Sequence, residues 1–234
     1  MEKAGIESLR NQLHMLERAV RAVRANLEAL TLIPEDTATL KATLLDCPLS
    51  ALLGRPQLID RRAVAPYEAI TEGVCMAFPP RSDVVSVHVE SRSFAADEAR
   101  KNAGSSCLLL RVQRKGSGTP AWATLEADVH PSQLLACASL QARIILSFQS
   151  RGWRPLGSYR MFLRLFFEKE FKDYMPKSIP ALDVPIEAAY RIGKEEFATL
   201  PRTGVHSARL IIGLPMAEDA DYLAALSFFE VQGN

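Results

Sequence analysis

The chain has 234 residues, of which 48% are hydrophobic and 24% charged, a composition that argues against wholesale disorder. Its formal net charge of +1 provides no strong overall field toward nucleic acid or a membrane surface, so any such preference would have to come from local patches. The length suits one domain with an appendage, or two small domains.

The cysteines and the absence of targeting signals bear on the cellular compartment. Cys47, Cys75, Cys107 and Cys137 are widely spaced, and without close pairs they predict neither a disulfide scaffold nor a zinc site. The first residues contain no apolar signal core, and no run approaches the ~20 apolar residues of a membrane helix. We therefore expect an intracellular protein of a reducing compartment, cytoplasm or nucleus alike, without a membrane partner.

The most regular feature is an apolar repeat over residues 6–30, in which the spacing alternates between three and four. This heptad spacing predicts a helix of coiled-coil type, which Pro34 would end. No other predicted helix is long and regular enough to pair with it, so we expect other protein chains as partners. The flanking heptad positions carry no complementary charge code, which favours a hetero-oligomer over a homodimer. The predicted interface residues are Ile6, Leu9, Leu13, Leu16, Val20, Val23, Leu27 and Leu30.

The next segments predict a helical neck followed by strands. Residues 37–53 favour a helix, and the chain up to Pro80 is interrupted by prolines. Residues 83–90 alternate apolar and polar side chains, as a half-buried strand does. The segments 107–115 and 121–129 flank a Gly-Ser-Gly-Thr-Pro turn and predict a hairpin.

The C-terminal third mixes predicted helices and strands. We expect helices over 132–150 and 158–174, the second with a broad apolar stripe. A strand over 187–192, a helical turn over 193–200 and a strand over 206–214 follow. The tail, residues 217–231, suits either a helix or a strand that pairs back on 206–214, and we favour the helix.

The predicted fold class is α+β: an N-terminal heptad helix, a helical neck, and a small antiparallel sheet packed with two or three helices. The predicted domains are residues 1–34 for the helix, 35–80 for the neck and 81–234 for the globular part. In layout, a coiled-coil stalk before a small α+β head resembles the RWD-domain subunits of kinetochore assemblies. This resemblance implies a non-catalytic subunit.

Motifs that carry chemistry are incomplete. His88-Val89-Glu90 matches part of a zinc-deaminase motif, but the Pro-Cys-x-x-Cys that supplies the other ligands is absent. Gly116-Ser117-Gly118 lacks the rest of a phosphate-binding loop. We therefore expect no catalytic residues, no cofactor and no metal. The alternative is an enzyme or small-molecule-binding domain without a recognisable motif, with polar groups from loops 91–106 and 176–185.

Basic residues are concentrated in residues 100–125 and 143–164, neither of which contains an acidic residue. Arginines mixed with aromatic residues are typical of interface anchors and also of phosphate contact with base stacking. The plain alternative is a solvated face with arginine stems lying over apolar surface. The candidate surface for an acidic partner consists of Arg111, Lys115, Arg151, Trp153, Arg154 and Arg160.

These observations favour a non-catalytic subunit or adaptor of a larger protein assembly. The heptad helix would dock into that assembly, and the α+β domain would present a binding surface. A nucleic-acid-associated subunit that uses the arginine-rich surface is a further alternative, with nucleic acid as a less favoured partner.

Overall fold

A computed structural model describes residues 42–54, 59–80, 85–93, 106–115, 121–151 and 156–234. The predicted heptad helix over residues 6–30 lies outside the described residues, and so does the predicted domain 1–34. Within the described ranges the chain forms thirteen strands and three short helices.

The strands are β1 (Thr43–Leu44), β2 (Arg62–Val64), β3 (Ala69–Thr71), β4 (Val74–Ala77), β5 (Val85–Ser93), β6 (Ser106–Arg114), β7 (Thr124–Val129), β8 (Leu140–Ser150), β9 (Ser158–Phe166), β10 (Phe171–Pro180), β11 (Ile186–Ile192), β12 (Ser207–Gly213) and β13 (Asp221–Gly233). The helices are α1 (Pro48–Gly54), α2 (Pro131–Leu135) and α3 (Lys194–Ala198).

The strands build two antiparallel sheets. The first sheet has the order β11-β8-β13-β6-β5-β2, and β1 adds to the end of β13. The second sheet has the order β10-β9-β12-β7-β4-β3. Each sheet turns one apolar face toward the other, so the architecture is a β-sandwich with the core between the sheets.

The alternation of side chains explains why these segments are strands. In β8 every second residue from Leu140 to Phe148 is buried, while the residues between them are partly exposed. The same alternation of period two runs through β5 and β13. Because successive strand residues point to opposite faces, this pattern gives each strand one core side and one outer side.

Aromatic residues from both sheets meet in the core. The ring centroid of Phe148 in the first sheet lies 5.3 Å from that of Tyr159 in the second sheet and 5.7 Å from that of Tyr222 in the first. The hydroxyl of Tyr222 donates a hydrogen bond to the carbonyl of Pro215 at 2.9 Å, which satisfies its buried polar group.

A second buried tyrosine connects the sheets at their edge. Tyr190 in β11 is completely buried, and its hydroxyl accepts a hydrogen bond from the amide of Leu163 in β9 at 3.1 Å. The same hydroxyl donates to the carbonyl of Tyr174 in β10 at 2.8 Å. The β9–β10 pairing is irregular between Tyr174 and Lys177, and the hydroxyl occupies the gap in the ladder that this bulge leaves.

The predicted α+β fold class is wrong, because the described chain is almost entirely antiparallel sheet. The clearest predicted helix, over 158–174, is two strands, β9 and β10. They are joined by a tight turn in which the amide of Phe167 donates to the carbonyl of Glu170 at 2.8 Å. Its aromatic residues fit a strand as well as a helix, because aromatic side chains pack favourably on a pleated sheet.

Three other helix predictions are only partly confirmed or are wrong. Only Pro131–Leu135 of the predicted helix over 132–150 is helical, and most of the remainder is β8. The tail over 217–231 is mostly β13, which pairs with β6, β8 and β1 and not with β12. In the neck, the described helix is limited to Pro48–Gly54.

The predicted strands over 83–90, 187–192 and 206–214 are confirmed as β5, β11 and β12, and the helical turn over 193–200 as α3. The strands over 107–115 and 121–129 exist as β6 and β7, but the predicted hairpin between them is wrong. β6 pairs with β5 and β13 in the first sheet, whereas β7 pairs with β4 and β12 in the second.

The described part of the predicted neck contributes to the sandwich. Within it, β1 pairs with β13, β2 with β5, and β4 with β7. Helix α1 places Leu49, Leu52 and Leu53 in the core.

We predict that Tyr190→Phe destabilises the sandwich, because it leaves the Leu163 amide and the Tyr174 carbonyl without their partner. The expected loss in the free energy of unfolding is about 2 kcal/mol, measured by urea denaturation. The matched control is Tyr67→Phe, since Tyr67 is 61% exposed and should change stability by less than about 0.5 kcal/mol. Equal losses in the two variants would contradict a bridging role for the Tyr190 hydroxyl.

Candidate functional site

The outer face of the second sheet carries charged side chains that contact one another instead of standing apart in solvent. Glu126 and Asp128 on β7, Arg209 on β12, Arg164 on β9 and Asp173 on β10 lie in neighbouring register positions. We call these five residues the polar face. The strand neighbours of the four residues on β7, β9 and β12 point the other way into the core. Asp173 is paired with Arg164, so all five lie on one surface.

Glu126 lies at the centre of the polar face and is only 4% exposed. Its Oε2 accepts a hydrogen bond from Nη1 of Arg209 at 2.9 Å, and its Oε1 accepts one from the Thr124 hydroxyl at 3.0 Å. Nη1 of Arg164 lies 3.9 Å from Oε1. A carboxylate this deeply buried needs such partners, because an unpaired charge away from water is strongly unfavourable.

The two arginines each connect Glu126 to a second carboxylate. Arg209 donates through Nε to Asp128 at 2.8 Å. Arg164 donates through Nε and Nη2 to Asp173 at 2.6 and 2.9 Å, a two-point contact that fixes the orientation of both groups. The hydrogen bond to Asp173 raises the pKa of Arg164. Burial acts to lower the pKa of Arg209, but Glu126 and Asp128 outweigh it and the pKa is raised.

Two phenylalanines flank the polar face at one end. Phe166 on β9 and Phe171 on β10 are directly paired, with ring centroids 6.1 Å apart. The guanidinium of Arg164 lies 4.2 Å from the centroid of Phe171, and that of Arg209 lies 5.2 Å from the centroid of Phe166. These cation–π contacts hold the rings against the charged network, while Phe171 stays 55% exposed.

A second aromatic pair lies toward the opposite end of the same face. Trp122 is two residues before β7 begins, so it points to the same side as Thr124 and Glu126, with the buried Ala123 between them pointing inward. Its ring centroid is 6.2 Å from that of Tyr67, and the two side chains are 40% and 61% exposed. Tyr67 has a φ of 63°, a backbone conformation uncommon outside glycine. Residues in such conformations are concentrated at functional sites.

Six residues separate Trp122 from Asp128, which corresponds to about 20 Å along the strand. The face is therefore extended, with exposed aromatic rings at both ends. Between them lie the charged groups and, at the level of Glu126, the buried apolar residues Ile211 and Phe162. Arg160 points to the same side, because its neighbours Tyr159 and Met161 are core residues. With Arg160 included, three arginines balance three carboxylates on this surface.

Cys75 is the thiol at the polar face, where Nη1 of Arg209 lies 3.8 Å from its sulfur. Burial and the charge of Glu126 raise the pKa of this thiol. A raised pKa disfavours the thiolate, so Cys75 is not an activated nucleophile.

The four cysteines are free, and the reducing compartment stays a prediction. Within the described ranges, no group of three or more His, Cys, Asp or Glu side chains is arranged to hold a metal ion.

The structure separates the residues of the predicted acidic-partner surface. Arg111 points outward from the first sheet, where it pairs with Asp221 at 2.6 Å, whereas Arg160 points outward from the second. Lys115 and Arg151 are exposed beyond the ends of β6 and β8. Trp153 and Arg154 lie outside the described residues. Of the four that are described, Arg160 alone lies on the surface that holds the polar face.

Sequence reasoning missed the residues of the polar face itself. Arg164, Phe166, Phe171 and Asp173 were assigned to one helix, which would have placed them on different sides. The available signal was the alternation of buried residues at 159, 161, 163 and 165, which as a strand places Arg164 and Phe166 on one face.

No protein-family model and no curated protein matches the chain. Among solved structures, the chain is similar to a xylan-binding domain from carbohydrate-binding module family 22, with a TM-score of 0.40 and 13% identity over 72% of this chain and 91% of that one. The family 11 carbohydrate-binding module from Clostridium thermocellum, in complex with a β-1,3-1,4-mixed-linked tetrasaccharide, has a TM-score of 0.40 and 10% identity over 76% and 98%.

The carbohydrate-binding module TmCBM27, described with mannan recognition, has a TM-score of 0.36 and 14% identity over 77% of this chain and 99% of that one. TM-scores this low indicate only a coarse similarity of fold. The argument for a ligand of this chain therefore uses only its own residues.

The predicted role as a subunit or adaptor of a protein assembly is wrong. It depended on an α+β head behind a coiled-coil stalk, and the described chain is instead a sandwich of two antiparallel sheets. The RWD-type layout and the docking subunit built on it are corrected with it, and none of the three helices in the described ranges is longer than seven residues, too short for a coiled coil. Of the arginines in the nucleic-acid alternative, Arg111 lies on the first sheet and Arg160 on the second, while Arg154 lies outside the described residues. None of the helices in the described ranges has the length and apolar character needed to cross a membrane.

We predict that Arg209→Met destabilises the fold, because it removes the nearest cation from the buried Glu126. The expected loss is about 2–4 kcal/mol in the free energy of unfolding, which is less than for a fully buried pair because Arg164 remains nearby. Denaturant unfolding measures the loss, and adding Glu126→Gln to the variant should recover part of it.

The matched control is Arg143→Met, which removes an arginine from the pair with Glu187 on the first sheet. Those two side chains are 37% and 49% exposed, so the expected loss is below about 1 kcal/mol. If both arginine variants lost the same small amount, Glu126 would not depend on Arg209.

Proposed function

We propose that this chain is a non-catalytic carbohydrate-binding module whose polar face binds a neutral oligosaccharide. The observation that carries the proposal is the charged network of Glu126, Asp128, Arg164, Asp173 and Arg209, with exposed aromatic pairs at both ends.

The chemistry of a sugar ring matches this arrangement. Each hydroxyl both donates and accepts hydrogen bonds, so a surface of alternating guanidinium donors and carboxylate acceptors can satisfy both roles. The C–H faces of a pyranose ring are apolar and suit the exposed faces of aromatic side chains such as Phe171 and Trp122. A surface with polar groups alone or aromatic groups alone would offer only half of this complementarity.

The charge balance favours a neutral ligand. Three arginines and three carboxylates share the surface, so an anionic polymer such as nucleic acid would meet as much repulsion as attraction. Hydrogen bonds to groups that are already ionised are stronger than those between neutral groups. The network can therefore bind uncharged hydroxyls without needing charge on the ligand.

Pre-organisation further supports the proposal. The ion pairs fix the arginines and acids before any ligand arrives, and the strands hold the aromatic residues in register. Little side-chain entropy remains to be lost on binding, which is how a rigid surface gains affinity. The elongated shape, about 20 Å between Trp122 and Asp128, suits several consecutive sugar units better than a single one.

The experiment is a titration with oligosaccharides of xylan, mixed-linked β-glucan and mannan, the glycans named for the structural neighbours. The chain has two tryptophans, so a Trp153→Phe background leaves Trp122 as the single fluorescent reporter. We expect saturable quenching or a blue shift with at least one glycan. Calorimetry on the same samples gives the affinity.

Trp122→Ala and Phe171→Ala should each weaken binding about tenfold or more, equivalent to ~1.4 kcal/mol. The control is Leu44→Ala, because Leu44 is an exposed apolar residue, 63% accessible, in β1 of the first sheet. No saturable binding to any of the three glycans, or an equal loss in the Leu44 variant, would count against the polar face as the binding surface.

A further inference from the structure

A small cavity lies on the outer face of the first sheet, on the other side of the sandwich from the polar face. Its volume is about 180 Å³. His88 on β5 is paired with Arg111 on β6, and Arg111 is paired in turn with Leu223 on β13. Arg61 immediately precedes β2. Three strands and one loop therefore meet around this space, independently of the residues proposed to bind sugar.

His88 lines this cavity with an unsatisfied ring nitrogen. Its Nδ1 is buried and has no hydrogen-bond partner among the described residues. Buried polar groups in folded proteins are almost always paired, so an unpaired one requires an explanation.

Three arginines surround the same cavity, and two of them are already engaged. Nε of Arg92 donates to Glu90 at 2.7 Å, and Nη2 of Arg111 donates to both oxygens of Asp221 at 2.6 and 2.9 Å. Arg61 forms no ion pair within the described part of the chain. Each guanidinium has five N–H groups, so Arg92 and Arg111 retain donors beyond these contacts. Three arginines face two carboxylates, and the cavity keeps a surplus of positive charge.

The floor of the cavity is apolar. Leu109 and Leu223 lie on the neighbouring strands β6 and β13 and contribute aliphatic surface. The volume is below the roughly 300–1,000 Å³ typical of sites for drug-sized molecules. The space therefore suits one charged group with a few attached carbon atoms.

We propose that this cavity is a second binding site, which takes a single oxyanion group, carboxylate, sulfate or phosphate, carried on a small molecule. Arg61 supplies the uncompensated charge, the free donors of Arg92 and Arg111 bind the oxygens, and the His88 ring lines the site. Guanidinium groups match the planar carboxylate and the tetrahedral oxyanions alike through two-point hydrogen bonds.

The test is a titration of the full chain with sodium acetate, sulfate and phosphate, at constant ionic strength maintained with sodium chloride. The readout is the imidazole ¹H–¹⁵N spectrum of His88, assigned by its absence in His88→Gln. We expect saturable shifts of the His88 ring nitrogens with at least one of the three anions. The three arms distinguish a carboxylate site from one for sulfate or phosphate.

Arg61→Gln should raise the apparent dissociation constant at least tenfold, because it removes the charge that has no partner within the described structure. This variant should fold normally, since Arg61 is exposed. The control is Arg143→Gln, which removes an equal charge from the same face of the first sheet and should leave the affinity unchanged. Shifts that grow linearly without saturation, or equal affinities in the wild type and Arg61→Gln, would overturn the proposal.

Discussion

The nearly complete burial of a carboxylate on the outer side of a sheet is the constraint on which the candidate site depends. Glu126 is 4% exposed, and a charge in that position is tolerated only with close partners. Arg209 and Arg164 provide them, and each arginine then extends to a second acid and across an aromatic ring. One buried group thus fixes the orientation of both guanidinium groups and, through them, of Asp128, Asp173 and Phe171.

The core connects to this surface through Tyr190. Its hydroxyl binds the backbone of β9 and β10 at the bulge, and β10 is the edge strand that carries Phe171 and Asp173. An edge strand with an irregular ladder would be weakly held by its one neighbour. The tyrosine from the opposite sheet supplies hydrogen bonds where the bulge interrupts the ladder, so packing between the sheets stabilises a strand on which the outer face depends. Stability and the geometry of the polar face are therefore coupled at this edge.

Alternation predicted β5 correctly, but β8, which alternates just as regularly, was expected to be part of a helix. Residues 206–214 form the predicted strand β12 even though Leu210, Ile211 and Ile212 are all buried and do not alternate. In 158–174 the aromatic residues satisfy the helical and the strand period together, and local periodicity cannot decide between them. What decides is pairing with β12, a strand more than forty residues further along the chain. The polar face was unpredictable for the same reason, because its five residues come from four strands whose order only the tertiary fold defines.

The two outer faces of the sandwich differ in their balance of positive and negative side chains. On the second sheet every arginine of the network is matched by an acid, so the surface presents fixed hydrogen-bonding groups with little net charge. On the first sheet Arg61 remains uncompensated beside the buried nitrogen of His88. A neutral hydroxyl-rich ligand and a small oxyanion would therefore each be disfavoured at the other's site. Because the sites are built on different sheets and share no residue, substitutions at one should act independently of the other. Ligand binding at each face can therefore be tested by itself, although the same core supports both sheets.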